Sequence, residues 1–143
     1  IIMIDVDGLK KINDTLGHRY GDQMLAATAS LLKRTFRKAD LVARIGGDEF
    51  AVILPHASQN IVEKRCASLS RNMEIYNKQN HFPPLRFSFG AATSTGHTES
   101  IRSLLEEADM KMYEQKRKNY QKAINCLPLC PPVQEMPTAG LYR

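Results

Sequence analysis

Two acidic clusters carry the chemistry open to this chain. Asp5 and Asp7 close a short, β-branched apolar run, Ile1 to Val6. Far along the chain, Asp48 and Glu49 follow a glycine pair, Gly46-Gly47. Crowded carboxylates repel one another and hold raised pKa values unless a cation neutralises them. Oxygen-only ligands suit a hard divalent ion, Mg²⁺ or Mn²⁺, rather than zinc. Mg²⁺ usually takes one or two carboxylates and fills its other positions with water and phosphate oxygens. Gly46 and Gly47 carry no side chains, so backbone and ligand can approach closely. Lys10 and Lys11 lie just past the first cluster, where they could meet phosphate. Together these features suggest a nucleoside triphosphate held with metal, and phosphoryl or nucleotidyl transfer. Taken singly, each has a plainer use: Asp-x-Asp is commonly a turn, Gly-Gly-Asp a hairpin and Lys-Lys a solvated pair. The chemistry requires that the two clusters meet.

The elements decide whether they do. Ile1 to Val6 reads as a buried strand that runs into a turn at Asp7-Gly8. Met24, Leu25, Thr28, Leu31, Leu32 and Phe36 recur at helical spacing, which predicts an amphipathic helix over 22–37. Leu41 to Ile45 and Phe50 to Leu54 are strand-like, joined by a tight hairpin at 46–49. A helix is expected over 58–77 with Ile61, Cys66, Leu69 and Met73 on one side, stopped by Pro83-Pro84. Leu85 to Thr93 reads as a strand. Ile101, Leu104, Leu105, Ala108, Met112 and Tyr113 mark a last helix over 99–119. The order β-α-β-β-α-β-α gives an α/β (α+β sandwich) class: a ferredoxin-like, polymerase-palm-like βαββαβ core with a C-terminal helix and a mostly antiparallel sheet. In that plan the first two strands run parallel and the third inserts between them. The hairpin at 46–49 then falls beside Asp5 and Asp7.

Composition removes other classes. Of 143 residues, 43% are hydrophobic and 24% charged, a globular balance. The opening apolar run is far short of a membrane span and has no basic leader. Three cysteines are too few and too odd in number for a disulfide scaffold, and read as free thiols in a reducing compartment. Cys126 and Cys130 have no nearby histidine to complete a metal site. Lys plus Arg is 20 and Asp plus Glu 15, and the net charge of +5 suits an anionic ligand but is too mild to argue for nucleic acid. The prolines after Cys126 give residues 122–143 the character of a tail.

Gly46-Gly47-Asp48-Glu49-Phe50 resembles the signature of the GGDEF domain, the diguanylate cyclases. By average residue usage this pentapeptide arises in such a chain on the order of once in 10⁴. The run from Asp5 through Asp14, then Gly17-His18 and Gly21-Asp22, resembles the family's first strand and following helix. Phe89-Gly90 resembles its fourth-strand ending, and Ala108-Asp109 with Tyr113 and Lys116 its last helix. The resemblance covers residues 1–121. It implies condensation of two GTP into cyclic di-GMP, with two pyrophosphates released, across a homodimer in which each 3′-hydroxyl attacks the other GTP's α-phosphorus. It implies Asp5, Asp48 and Glu49 as catalytic residues. Asp5, Asp48, Glu49 and the Val6 carbonyl would hold Mg²⁺ or Mn²⁺, two per subunit. Asn13 and Asp22 match base-recognition positions, Lys10 and Lys116 phosphate positions, and Gly46 and Gly47 the turn against the phosphates. Arg37 and Asp40 fit the family's R-x-x-D pattern, an inhibitory site for the product cyclic di-GMP. Asp7 takes no direct role, and Arg65 and Arg71 are candidates for a second inhibitory arginine. A fused sensory domain upstream and a cytoplasmic location are implied, with a membrane anchor on the parent protein left open.

Three departures accompany the resemblance. The family's N-terminal segment and helix do not precede Ile1, so the expectation is a fragment or a domain that has lost a helix. Tyr120 stands where the family often has arginine, leaving Arg117 or Lys118 as substitutes. Leu9 replaces the usual phenylalanine. A second reading is a catalytically idle receptor for GTP or cyclic di-GMP. An adenine-using cyclase is disfavoured by Asp22.

Overall fold

The computed structural model describes residues 1–79, 84–94, 96 and 99–125, with side chains as far as residue 121. The elements are β1 (Ile2–Val6), α1 (Leu9–Leu16), α2 (His18–Thr35), β2 (Leu41–Arg44), β3 (Glu49–Ile53), α3 (Gln59–Lys78), β4 (Phe87–Ala91) and α4 (Ile101–Asn125). The sheet order is β2-β3-β1-β4, and every pairing in it is antiparallel. β3 therefore lies between β1 and β2, which point the same way, as the split plan expects. Among the described residues, no helix is long and apolar enough to cross a membrane.

Strand alternation sends the two halves of β1 to different layers. Ile2, Ile4 and Val6 are fully buried with Phe50 and Val52 of β3 and Phe87 of β4, in the core that α2 and α3 cover. Met3 faces the opposite way, with Ala51, and packs under Leu104, Ala108 and Met112 of α4. Asp5 shares the Met3 face, so α4 covers the acidic end of β1 as well. Gly90 permits this close cover: a Cβ there would strike the backbone of Ala108 and Met112. Buried Thr28 and Thr35 in α2 return their hydroxyls to Met24 and Leu31 carbonyls at 2.8 Å, which satisfies them inside a packed face.

The structure corrects several sequence expectations. The segment between the first two strands holds two helices, not the one expected over 22–37. α1 spans only eight residues, too few for a helical period to stand out. Glycines bracket it, Gly8 at φ 82° and Gly17 at φ 91°, in a region costly for other residues. Val62 rather than Ile61 is the buried residue opening α3. Ile101 and Tyr113, which helped mark the last helix, are 67% and 61% exposed. The last helix continues past 119, through Asn125, and takes in residues 122–125. Pro83 and residues 126–143, with Cys126 and Cys130, lie outside the described residues.

Candidate active site

The pairing register assembles the site. Asp5 lies directly opposite Glu49 on β3 and opposite Ser88 on β4. Residues facing each other across antiparallel strands project to the same side, so Glu49, Asp5 and Ser88 form one row on the α4 face. The Val6 N–H donates to the Asp48 carbonyl at 2.9 Å, tying the end of β1 to the hairpin. The two acidic clusters read from the sequence therefore meet.

The turn between β2 and β3 is closed tightly. The Ile45 and Gly46 N–H groups both donate to the Glu49 carbonyl, at 2.9 and 3.3 Å. Arg44 staples the turn from its other side, Nε donating to the Gly46 carbonyl at 3.1 Å and Nη2 to the Gly47 carbonyl at 2.7 Å. Neither glycine has a left-handed φ. Gly46 makes room for Glu49, whose Oε2 would lie 2.5 Å from a Cβ at that position. At Gly47, no described neighbour lies within 4 Å of where a Cβ would stand. Nothing within the described chain demands that glycine.

A lysine from α4 completes the cluster. Lys116 Nζ donates to Asp5 Oδ1 at 2.7 Å. Burial alone would lower the lysine pKa, but the Asp5 hydrogen bond and the charges of Asp5, Asp48 and Asp7 outweigh it and hold the ammonium above its ordinary value. Asp7 accepts the Ser88 hydroxyl at 3.0 Å on both carboxylate oxygens. Burial pushes its carboxyl up, the Ser88 bond pulls it back, and the Asp5 charge adds to the rise. Ser88, fully buried, was not singled out from the sequence; its place opposite Asp5 exists only in the folded register. Arg44 was likewise missed, although it directly precedes the Ile45-Gly46-Gly47 turn.

The other expected residues fall in separate places. Lys10 is exposed in the first turn of α1, whose N-terminus carries no side-chain cap. Asn13 lies against Gly21, where any Cβ would collide with the Asn13 amide. Asn13 Oδ1 is buried and has no hydrogen-bond partner among the described residues. Asp22, next to Gly21, lines a cleft of about 330 Å³ between α2 and the hairpin strands, with Leu25, Ala29, Val42, Arg44 and Phe50. Arg37 and Asp40 share a turn at the opposite end of β2 from the hairpin. The Arg37 N–H donates to Asp40 Oδ2 at 2.8 Å, and the Asp40 N–H to the Arg37 carbonyl at 3.0 Å. Arg65 Nη1 donates to the Thr35 carbonyl at 3.3 Å, close to that turn in sequence.

Among the described residues, no three His, Cys, Asp or Glu side chains form a metal cage by themselves. The oxygen-only donors Asp5, Asp48, Glu49 and the Val6 carbonyl fit a cation that takes few protein ligands and completes its shell with water and phosphate.

A strand-end aspartate meeting an acidic glycine turn on a split βαβ sheet gives a palm-like α+β domain. A family model described as "Diguanylate cyclase, GGDEF domain" matches residues 1–122, and the chain belongs to that family. It is 38% identical over 128 residues to diguanylate cyclase TpbB of Pseudomonas aeruginosa, covering 82% of this chain and 28% of that protein. It is 36% identical over 121 residues to diguanylate cyclase A of Treponema denticola, covering 82% and 32%. The crystal structure of the TpbB GGDEF domain superposes with a TM-score of 0.72 at 37% identity, covering 82% of this chain and 74% of that one. The GGDEF domain of DgcB from Caulobacter crescentus, solved in complex with c-di-GMP, gives 0.70 at 31% identity, covering 82% and 71%. The chain spans 20% to 33% of the length of the curated relatives it matches.

Proposed function

We propose that this domain condenses two GTP into cyclic di-GMP and releases two pyrophosphates. The observation that carries the reading is the Asp5–Glu49 register with Asp48 tied to Val6. That geometry gathers oxygen donors on one rim, where a bound Mg²⁺ or Mn²⁺ pair would polarise the α-phosphate and favour ionisation of the attacking hydroxyl. Asp5, Asp48, Glu49 and the Val6 carbonyl are the residues that would hold it. Lys116 and Lys10, with the uncapped N-terminus of α1, supply positive potential for the triphosphate. Gly47, with open space where a Cβ would stand, leaves the turn free to lie against phosphate.

Asn13 and Asp22 are assigned to guanine. Guanine offers N1–H and N2–H₂ as a donor pair that the exposed Asp22 carboxylate can accept, and adenine lacks that pair. An acceptor left unpaired by the wrong base costs ~1–3 kcal/mol, or roughly 10–100-fold in discrimination. The reaction pairs two copies of the domain. Each 3′-oxygen gives up its proton and bonds to the partner nucleotide's α-phosphorus, and each α–β phosphoanhydride breaks to free pyrophosphate. Arg37 and Asp40 are assigned to product binding at the far end of β2. The parent protein is assigned a sensory domain upstream and a cytoplasmic catalytic domain.

Incubating the chain with GTP and Mg²⁺ and resolving products by chromatography tests this. Cyclic di-GMP with pyrophosphate is the expected result. Nucleotide binding without product would turn the assignment to a regulatory receptor.

A further inference from the structure

The cation that Asp5 holds in this structure is Lys116. Their contact is 2.7 Å, the Asp5 side chain is 8% exposed and that of Lys116 42%. The charges of Asp48 and Asp7 act on the same ammonium. The helix that delivers it is pinned close to Lys116 in sequence. Gln115 Oε1 accepts the Phe89 N–H at 2.6 Å, and Asn119 Nδ2 donates to Ser88 Oγ at 3.2 Å. Gly90 lets the α4 backbone press directly on β4. α4 is thus fixed, and Lys116 can leave Asp5 only by rotating its half-exposed side chain. Ser88, which meets Asn119 as a donor, gives its single hydrogen to Asp7.

An ammonium and a divalent cation at one buried carboxylate repel each other strongly. We infer that Lys116 is the resident counter-cation of Asp5, and that a divalent ion enters only as Lys116 swings off Asp5 toward the nucleotide's phosphates. The inference rests on the metal and phosphate assignments proposed above and adds a coupling between them. Metal entry frees the ammonium, and the triphosphate captures it, so each ligand strengthens the binding of the other. In the absence of nucleotide the metal competes with a tethered cation and binds weakly. Lys116 therefore acts twice, with opposite signs: against the bare metal and for the metal–nucleotide pair.

The test is Mn²⁺ binding to the full chain, read from the electron paramagnetic resonance signal of free Mn²⁺. Without nucleotide, Lys116→Met and Lys116→Gln should each lower the Mn²⁺ Kd about tenfold, the scale of losing one partly exposed ion pair together with its repulsion. Lys116→Arg, which keeps the charge, should stay near wild type. With 3′-deoxy-GTP present the order should reverse, the Met and Gln variants holding nucleotide more weakly. If both variants bind Mn²⁺ no better than wild type while Asp5→Asn loses it, the inference falls and the metal assignment stands. If Asp5→Asn binds Mn²⁺ as wild type does, the metal assignment itself falls, and the inference with it.

Discussion

Asp5 gains its importance from what the fold sets opposite it. On its own strand it is one polar residue after three apolar ones. In the sheet it faces Glu49, adjoins the turn that bears Asp48, and pairs with Lys116. Asp48→Asn and Glu49→Gln each keep shape and remove a charge from a half-buried position where the turn enters β3. Both should reduce cyclic di-GMP formation by at least about a hundredfold. Their thermal unfolding should stay within a few degrees of wild type. Undiminished turnover in both variants would refute the site. Cys66 presents the opposite case of a reactive side chain held inert. Burial pushes its thiol up, so the folded chain disfavours the thiolate. Stability linked to this residue is present at pH values below the ordinary thiol range and declines as pH rises through the raised value. Alkylation by iodoacetamide at pH 8, followed by peptide mass mapping, should be markedly slower at Cys66 in the native chain than in denaturant.

At the scale of elements, two glycines with similar sequence prominence do different work. Gly90 lets α4 lie on β4, and a Cβ there meets backbone that cannot rotate away. Gly90→Ala should destabilise the domain by about 1–3 kcal/mol, measured by urea unfolding. The cause lies at an interface distant in sequence, between a strand and the helix that carries Lys116. Gly47 is the contrasting case, with open space at its Cβ position and no left-handed φ. Gly47→Ala should leave stability within about 0.5 kcal/mol of wild type and raise KM for GTP. A large stability loss at Gly47 together with unchanged KM would remove the argument that ligand approach explains this residue.

For the whole molecule, the proposed catalytic rim and the proposed product-binding turn at Arg37–Asp40 lie at opposite ends of β2, so the proposed inhibition would act through how copies of the domain are arranged. Arg37 is exposed, while one Asp40 oxygen already accepts the Arg37 N–H. Arg37→Ala should raise the cyclic di-GMP concentration for half-inhibition by about tenfold or more. An unchanged inhibition curve would remove the assignment. A reaction shared by two copies also makes specific activity per chain rise with chain concentration. A flat dependence across a dilution series would exclude assembly during the assay.

The sequence alone determined the kind of fold and the family. Apolar runs of strand and helix period were long enough to show β1, the β2–β3 hairpin, α2 and α3, and the acidic glycine turn pointed to the family. Local patterns cannot report across strands. Ser88 and Asn119 are unremarkable polar residues until register sets one opposite Asp5 and α4 brings the other onto it. α1 was too short for its period to show, and Ile101 and Tyr113 matched the α4 pattern yet point to solvent. The Lys116–Asp5 pair joins positions 111 apart. Tertiary structure decided it, because only the packing of α4 on a sheet edge brings that ammonium to that carboxylate.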